Sequence, residues 1–222
     1  MKYRNKNFIL GTVALFIAVV MCVSSFTFSV YAADLGTLNV WKSSSYTIGK
    51  WSSIPTRVNL VYSNTIGDTA VPLSSITNTA VDEWNYALNT NMSCYNTGSS
   101  GPLTMYTGTK AEMRALGLFS HYENDNVVGS TVTTKNFYGT WNCPAIPDKA
   151  YSYTITRAYC VVYYISGRPA ERYANTAVHE LGHALGWFGH STSSSDVMYS
   201  NSNTRTSLTY NEISHLRQLY MY

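Results

Sequence analysis

The 222-residue chain carries 15 Lys and Arg residues against 12 Asp and Glu residues, a formal net charge of +3. Three of the basic residues, Lys2, Arg4 and Lys6, lie in the first 32 positions, where there is no acidic residue. The rest of the chain therefore has 12 residues of each sign and no net charge. This balance argues against a nucleic-acid partner.

The first 32 residues have the pattern of a secretory signal peptide. The basic start is followed by a mostly apolar run over residues 8–23, and residues 30–32 suit cleavage after Ala32. The alternative is an uncleaved anchor, but the run is shorter than the ~20 residues of a spanning helix. We expect a secreted, extracellular protein, free or associated with the cell wall, without stable membrane association after cleavage.

The remaining ~190 residues have the size of one domain. We predict a short leader or arm over residues 33–53 and a single, monomeric domain over residues 54–222. Three cysteines remain after cleavage: Cys94, Cys143 and Cys160. Export favours disulfide formation, and among the pairings we prefer Cys143–Cys160, which closes the shortest loop. The alternative is three free thiols.

Periodicity predicts the elements in chain order. Alternating apolar residues indicate a strand within residues 55–64, and an apolar residue at every fourth position indicates a helix over residues 73–91, capped by Ser74 or Ser75. The later predicted elements are a strand at 103–106, a helical turn at 111–116, a hairpin around 128–134, a strand at 153–166, a buried helix at 171–186, and a closing helix at 208–222 capped by Thr209.

The buried helix contains the sequence HELGHALG at residues 179–186. His179 and His183 are four positions apart, so both imidazoles project from one face of a helix and can bind one Zn²⁺. Glu180 is rotated by about 100° from His179 and can reach a water on the metal instead. This arrangement favours a metallohydrolase, in which the carboxylate takes a proton from that water. A helix with surface His and Glu residues is the less favoured alternative.

Two ligands do not complete a catalytic zinc site, which usually has three protein ligands and an open position. Gly186 can adopt a positive φ and turn the chain back towards the metal. His190 follows four residues later and can approach from the other side.

HELGHALG followed by His190-Ser191 resembles the metzincin zinc endopeptidases and, within them, the matrixins, whose pattern is HExxHxxGxxH followed by Ser or Thr. Residues 179–186 match this pattern position by position. The expected third-ligand position holds Gly189, so one extra residue must be looped out between residues 187 and 189, where we expect Gly189 to allow a tight kink. We predict His190 as the third ligand. In the alternative, His190 faces solvent and a water or Asp196 completes the site.

The resemblance implies an α+β, metzincin-like zincin fold: a twisted mixed sheet with two long helices, and a smaller C-terminal subdomain ending in a helix. It also implies that Met198 forms the methionine turn beneath the metal. Tyr199 and Tyr210 are weaker candidates for the substrate pocket. The strand near residues 160–165 is expected to be the edge that pairs with an extended peptide.

The cofactor implied is one catalytic Zn²⁺. A second, structural zinc is not expected, since His121 is interpreted as a loop residue, and calcium sites around residues 124–126 have only weak support. The predicted function is a secreted zinc metalloendopeptidase that hydrolyses peptide or protein substrates by Glu-assisted attack of a zinc-bound water. The alternatives are a non-catalytic cell-wall or glycan-binding protein on a zincin fold, and a metallohydrolase acting on cell-wall peptides.

Overall fold

The computed structural model describes residues 47–63, 70–118, 126–141 and 150–221. The predicted signal peptide, His121, Cys143 and positions 124–125 of the predicted calcium sites lie outside these ranges. No helix in the described ranges has the length and apolarity to cross a membrane. The elements are β1 (Thr47–Trp51), β2 (Arg57–Tyr62), α1 (Leu73–Leu88), β3 (Ser93–Asn96), β4 (Leu103–Gly108), α2 (Lys110–Ala115), β5 (Gly129–Trp141), β6 (Ala150–Tyr163), α3 (Ala170–Ala184) and α4 (Tyr210–Met221).

The strands form one mixed sheet of six. β3, β2, β4 and β6 pair in parallel in that order, and β5 pairs antiparallel with β6 along its whole length. β1 also pairs with β6 in parallel, over the half of β6 that β4 does not reach. The mixed sheet with helices packed on it confirms the predicted α+β class.

The position of β6 corrects the predicted substrate edge. Residues 158–163 of β6 pair with β4 on one side and with β5 on the other, so both edges of this stretch are already used. The densest run of β-branched and aromatic residues is therefore the interior strand, as expected for a strand buried on both sides. Within the described residues β5 has β6 as its one partner strand, so β5 is one edge of the sheet, on the side away from β4.

Helix α1 confirms the predicted apolar stripe but not its cap. Ile76, Ala80 and Trp84 are buried in the core. The helix starts at Leu73 without a side-chain cap from its own first turn. The hydroxyl of Tyr62 accepts the backbone N–H of Ser74 at 3.2 Å instead. A hydroxyl from β2 thus accepts one of the free backbone N–H groups at the start of the helix, where the sequence predicted a serine cap.

Helix α3 packs against α1 through Trp84. The indole Nε1 of Trp84 donates to the backbone carbonyl of Val178 at 2.8 Å. A Cβ on Gly182 would lie 2.7 Å from the Trp84 ring, so only glycine permits this approach. The contact holds the middle of α3, where the histidine motif lies, against the core.

The end of α3 confirms the predicted turn at Gly186. Gly186 has φ of 115° directly after the C-terminal residue Leu185. A side chain there would also collide with the carbonyl oxygen of Gly49 in β1. Trp51 of β1 donates from Nε1 to the carbonyl of Ala184 at 2.9 Å. The predicted leader therefore supplies a strand that supports the end of the helix, which its polar composition did not indicate.

Helix α4 begins after the predicted cap. Thr209 Oγ1 accepts the N–H of Glu212 at 3.3 Å, and Glu212 Oε2 accepts the N–H of Thr209 at 2.8 Å. This reciprocal pair is a capping box. Leu216 and Leu219 are buried as expected. Glu83 of α1 accepts the N–H of Leu208 at 3.1 Å, which fastens the start of α4 to α1.

The preferred Cys143–Cys160 disulfide is wrong, because Cys160 is a free thiol. Cys160 is fully buried in β6, and its Sγ donates to the carbonyl oxygen of Glu180 at 3.4 Å. Cys94 is also free. Burial raises the pKa of both thiols, so they remain protonated and behave as small apolar groups.

Candidate metal centre and active site

Two histidines of α3 face each other across one helical turn. The Nε2 atoms of His179 and His183 are 3.0 Å apart. Nδ1 of His179 lies 2.8 Å from the carbonyl oxygen of Val197, and Nδ1 of His183 contacts the carbonyl oxygen of Trp187. A carbonyl oxygen only accepts hydrogen bonds, so both Nδ1 atoms carry the proton. Both Nε2 atoms then present lone pairs to each other.

The two facing Nε2 lone pairs form a site that a cation can occupy. Two unprotonated nitrogens at 3.0 Å repel each other unless a cation lies between them. The backbone carbonyls fix the tautomer and the ring orientation, as outer-shell partners of metal-binding histidines usually do. The donor set fits Zn²⁺, which takes imidazole nitrogen at about 2.0–2.1 Å.

His190 joins the pair from the loop after Gly186. Its ring centroid lies 5.2 Å from that of His179 and 5.1 Å from that of His183. One nitrogen from each of the three rings falls within 4.8 Å of the others, so the triad could hold a metal ion. Of the residues in the described ranges with positive φ, Gly186 makes the turn and Gly189 is not one of them. The backbone does bend at Gly189 as expected, but without a positive φ.

Asp196, the alternative third ligand, is directed elsewhere. Its carboxylate accepts hydrogen bonds from Ser191 Oγ at 2.5 Å and from Thr209 Oγ1 at 3.0 Å. Both oxygens are thus used to join the residue after His190 to the start of α4. Asp196 is not part of the histidine cluster.

Burial keeps the three imidazoles neutral. It lowers the pKa of His179 to about 4 and the pKa of His183 well below its usual value, with the neighbouring imidazole adding to the shift of His183. Burial also lowers the pKa of His190, the most exposed of the three. Neutral imidazole is the form that binds a metal ion, so at neutral pH no proton competes strongly for these nitrogens.

Glu180 lies beside the triad and is only 6% exposed. Its Oε2 accepts a hydrogen bond from Thr131 Oγ1 at 2.7 Å. Burial raises the pKa of the Glu180 carboxyl to about 8, and the hydrogen bond from Thr131 acts in the opposite direction. A carboxyl with a raised pKa can take up a proton and release it again near neutral pH, which suits a general base and acid.

Met198 lies directly beneath the histidine helix. It is fully buried, and a Cβ on Gly182 would be 2.5 Å from its sulfur. Its carbonyl accepts the N–H of Ser191 at 2.7 Å, and the preceding Val197 carbonyl holds His179. The segment around Met198 therefore orients one candidate ligand and anchors the residue that follows another.

A cavity of about 340 Å³ opens next to the triad. His179, Glu180, His190 and Tyr199 are among the residues that line it. Tyr210 is 72% exposed and is not among the lining residues, so its predicted pocket role stays a prediction. The remaining lining residues are Asn126, Val127, Val128, Gly129, Asn175, Thr176, Ser200, Asn201 and Ser202.

Sequence reasoning missed the residues that β5 and α4 contribute. Thr131 and Gly129 contact Glu180 from β5, and Glu212 holds the backbone of Met198 from α4. The hairpin prediction covered both β5 positions, but a strand pattern does not reveal which helix residue its side chains meet. The sequence predicted Thr209 as the cap of α4, but it did not predict either contact of the Glu212 carboxylate.

The fold and this site define a zincin-type metal centre, and the comparison with known families agrees. The sequence model of the matrixin family matches residues 110–221, which include α3, the triad and α4. The chain belongs to the matrixin family, as its motif predicted. No curated protein sequence matches it. Matrixins bind zinc, which agrees with the histidine triad described above.

Proposed function

We propose that this protein is a secreted, zinc-dependent endopeptidase that uses His179, His183 and His190 as its metal ligands. The observation that carries the proposal is the convergence of three neutral imidazoles within 4.8 Å next to the buried carboxyl of Glu180. Matrixin membership supports the same chemistry. The signal-like start supports secretion, and the balanced charge beyond residue 32 argues against a nucleic-acid partner.

The bound Zn²⁺ would polarise a water molecule and the scissile carbonyl group. The protein supplies the proton transfers. Glu180 accepts a proton from the attacking water and delivers it to the leaving amine. Its position in the sequence, one residue after His179, rotates its side chain away from the metal-binding face of α3 and towards β5, where Thr131 holds it.

An extended peptide would bind along β5. This strand is an edge of the sheet in the described part of the chain, and it begins at Gly129 in the wall of the cavity. Backbone hydrogen bonds to an edge strand bind a peptide without dependence on its sequence. One side chain of the substrate would then enter the cavity, whose lining includes Tyr199.

The two alternative functions have less support. A cell-wall or glycan-binding protein has no use for a buried carboxyl next to three converging imidazoles. A metallohydrolase of cell-wall peptides would use the same centre and would differ only in its substrate. An assay that compares protein substrates with a cell-wall peptide distinguishes the two functions.

The test uses the chain from Ala33 onward with casein, gelatin and a cell-wall peptide as substrates. We expect cleavage of the protein substrates, loss of cleavage with a chelator and recovery with Zn²⁺. Glu180→Ala should retain zinc but lose cleavage by at least about 100-fold, in the range of general-base removal. Glu171→Ala, on the exposed first turn of the same helix, is the control and should cleave normally. Cleavage by Glu180→Ala at the wild-type rate would show that the base lies elsewhere.

A further inference from the structure

We propose that Thr131 is a positioning residue that holds the Glu180 carboxylate in its working orientation. This inference rests on the proposed function, since it concerns the same carboxylate. It adds a residue from the edge strand to the site, 49 positions away from Glu180 in the chain.

The contact is between a hydroxyl and a carboxylate. Thr131 Oγ1 lies 2.7 Å from Oε2 of Glu180 and 2.9 Å from the backbone carbonyl oxygen of the same residue. A threonine hydroxyl has one proton to donate. In the ionised form that acts as the base, the carboxylate is the stronger acceptor of the two, because hydrogen bonds to charged groups are shorter and stronger than those between neutral groups.

A contact of Cys160 also favours the carboxylate as the acceptor of the Thr131 hydrogen bond. Its thiol donates to the carbonyl oxygen of Glu180 at 3.4 Å, from the strand position that is paired with Thr131. The carbonyl therefore has another donor, and the hydroxyl of Thr131 is free to serve the carboxylate.

Gly129 leaves the space that the same carboxylate occupies, because it has no side chain. Gly129 and Thr131 are two positions apart on β5 and so face the same side of the strand. A Cβ on Gly129 would lie 2.5 Å from Oε1 of Glu180 and 2.6 Å from Cγ2 of Thr176. The glycine thus makes the space that the carboxylate occupies, and the threonine supplies the hydrogen bond that keeps it there.

The location on β5 gives this contact its significance. β5 is the strand along which the peptide would bind, so the element that places the substrate also holds the base. The distance between the scissile bond and the carboxylate is then set by a few residues of one strand. A displacement of about 1 Å between reacting groups can lower a rate by about 100-fold.

The kinetic test compares zinc-loaded Thr131→Val, Thr131→Ser and Thr79→Val with the wild type. Thr79 lies on α1, where its hydroxyl donates to the carbonyl oxygen of Ser75 at 3.2 Å, and the Val substitution makes the same chemical change there away from β5, so it is the matched control. We expect Thr131→Val to lower kcat by about 10- to 100-fold with KM within about 2-fold and zinc content unchanged, because substrate binding and the ligands are not altered. Thr131→Ser keeps the hydroxyl and should recover most of kcat, and Thr79→Val should resemble the wild type.

Crystal structures of the same zinc-loaded variants give a readout that does not depend on activity. The Glu180 carboxylate should contact residue 131 in the wild type and in Thr131→Ser, and should adopt another orientation in Thr131→Val. If the wild type cleaves no peptide, the proposed function fails and the structures alone decide the positioning role. An unchanged carboxylate in Thr131→Val, or a wild-type kcat for that variant, would overturn the inference.

Discussion

The carboxylate of Glu212 accepts the backbone N–H of Met198 at 2.7 Å, and its other oxygen accepts the N–H of Thr209. Glu212 is fully buried, and burial raises the pKa of its carboxyl. One side chain of α4 thus caps its own helix and fixes the segment beneath the metal centre. The last helix is therefore part of the support of the site.

Removing this carboxylate should destabilise the protein. Glu212→Ala leaves two backbone N–H groups without their acceptor, and each buried unsatisfied donor costs about 1–3 kcal/mol. We expect a loss of about 2–4 kcal/mol in the free energy of unfolding, measured by urea denaturation of the zinc-loaded protein. Glu171→Ala removes an exposed glutamate from the first turn of α3 and should change stability by less than about 0.5 kcal/mol. Equal effects of the two variants would contradict the structural role of Glu212.

Gly186 offers a second test, of the turn that leads to His190. Gly186→Ala introduces a side chain at φ of 115° and against the carbonyl oxygen of Gly49. Gly98→Ala is the matched control, since Gly98 also has a positive φ (64°) but no atom within 4 Å of the added Cβ. We expect about 1–2 kcal/mol of destabilisation from backbone strain alone at Gly98. The loss at Gly186 should exceed that value, with lower zinc content, because its collision displaces the loop of His190. A smaller loss at Gly186 than at Gly98 would contradict the packing described here.

Local patterns account for the parts of this molecule that the sequence predicted correctly. The four-residue spacing of His179 and His183 sets their shared helix face, and Thr209 just before the last helix caps it. Neither depends on distant parts of the chain. Gly186 was likewise predicted from its position just after the last helical residue, where its observed φ is positive.

Contacts between distant segments explain what the sequence did not reveal. Tyr62 replaces a local serine at the start of α1, and Thr131 reaches Glu180 across 49 positions. The edge of the sheet was assigned to β6 because a dense run of β-branched residues marks a strand without saying how many neighbours it has. Strand order depends on the packing of the whole sheet, and no single segment contains that information.

The assignment of His190 as the third ligand can be tested against the alternative, Asp196. His190→Ala should reduce zinc to well below one ion per chain, measured by elemental analysis after dialysis, because two imidazoles remain. Asp196→Asn should keep zinc and lose stability instead, since the aspartate bonds Ser191 and Thr209. Full zinc content in His190→Ala together with loss in Asp196→Asn would assign the third ligand to the aspartate.

A buried histidine outside the triad predicts a loss of stability in acid. His215 of α4 is 8% exposed and stacks on Trp187, with 4.1 Å between ring centroids. Its Nε2 has no hydrogen-bond partner among the described residues, and burial lowers its pKa to about 3. The unfolded chain takes up a proton near pH 6.5, whereas the folded protein does so only near pH 3. Below pH 6.5 the unfolded state therefore binds more protons, and the free energy of unfolding falls as the pH is lowered.

His215→Phe removes this titration and keeps an aromatic ring against Trp187. The stability difference between the wild type and this variant should be constant above pH 7. At pH 5 the wild type should have lost about 2 kcal/mol of stability relative to the variant. This value corresponds to the interval of about 1.5 pH units below pH 6.5 in which only the unfolded wild type binds the proton. Urea denaturation at a series of pH values measures the difference, and the variant shares every other titrating group with the wild type. A difference that stays constant from pH 7 to pH 5 would mean that His215 takes up its proton in the folded protein as easily as in the unfolded chain.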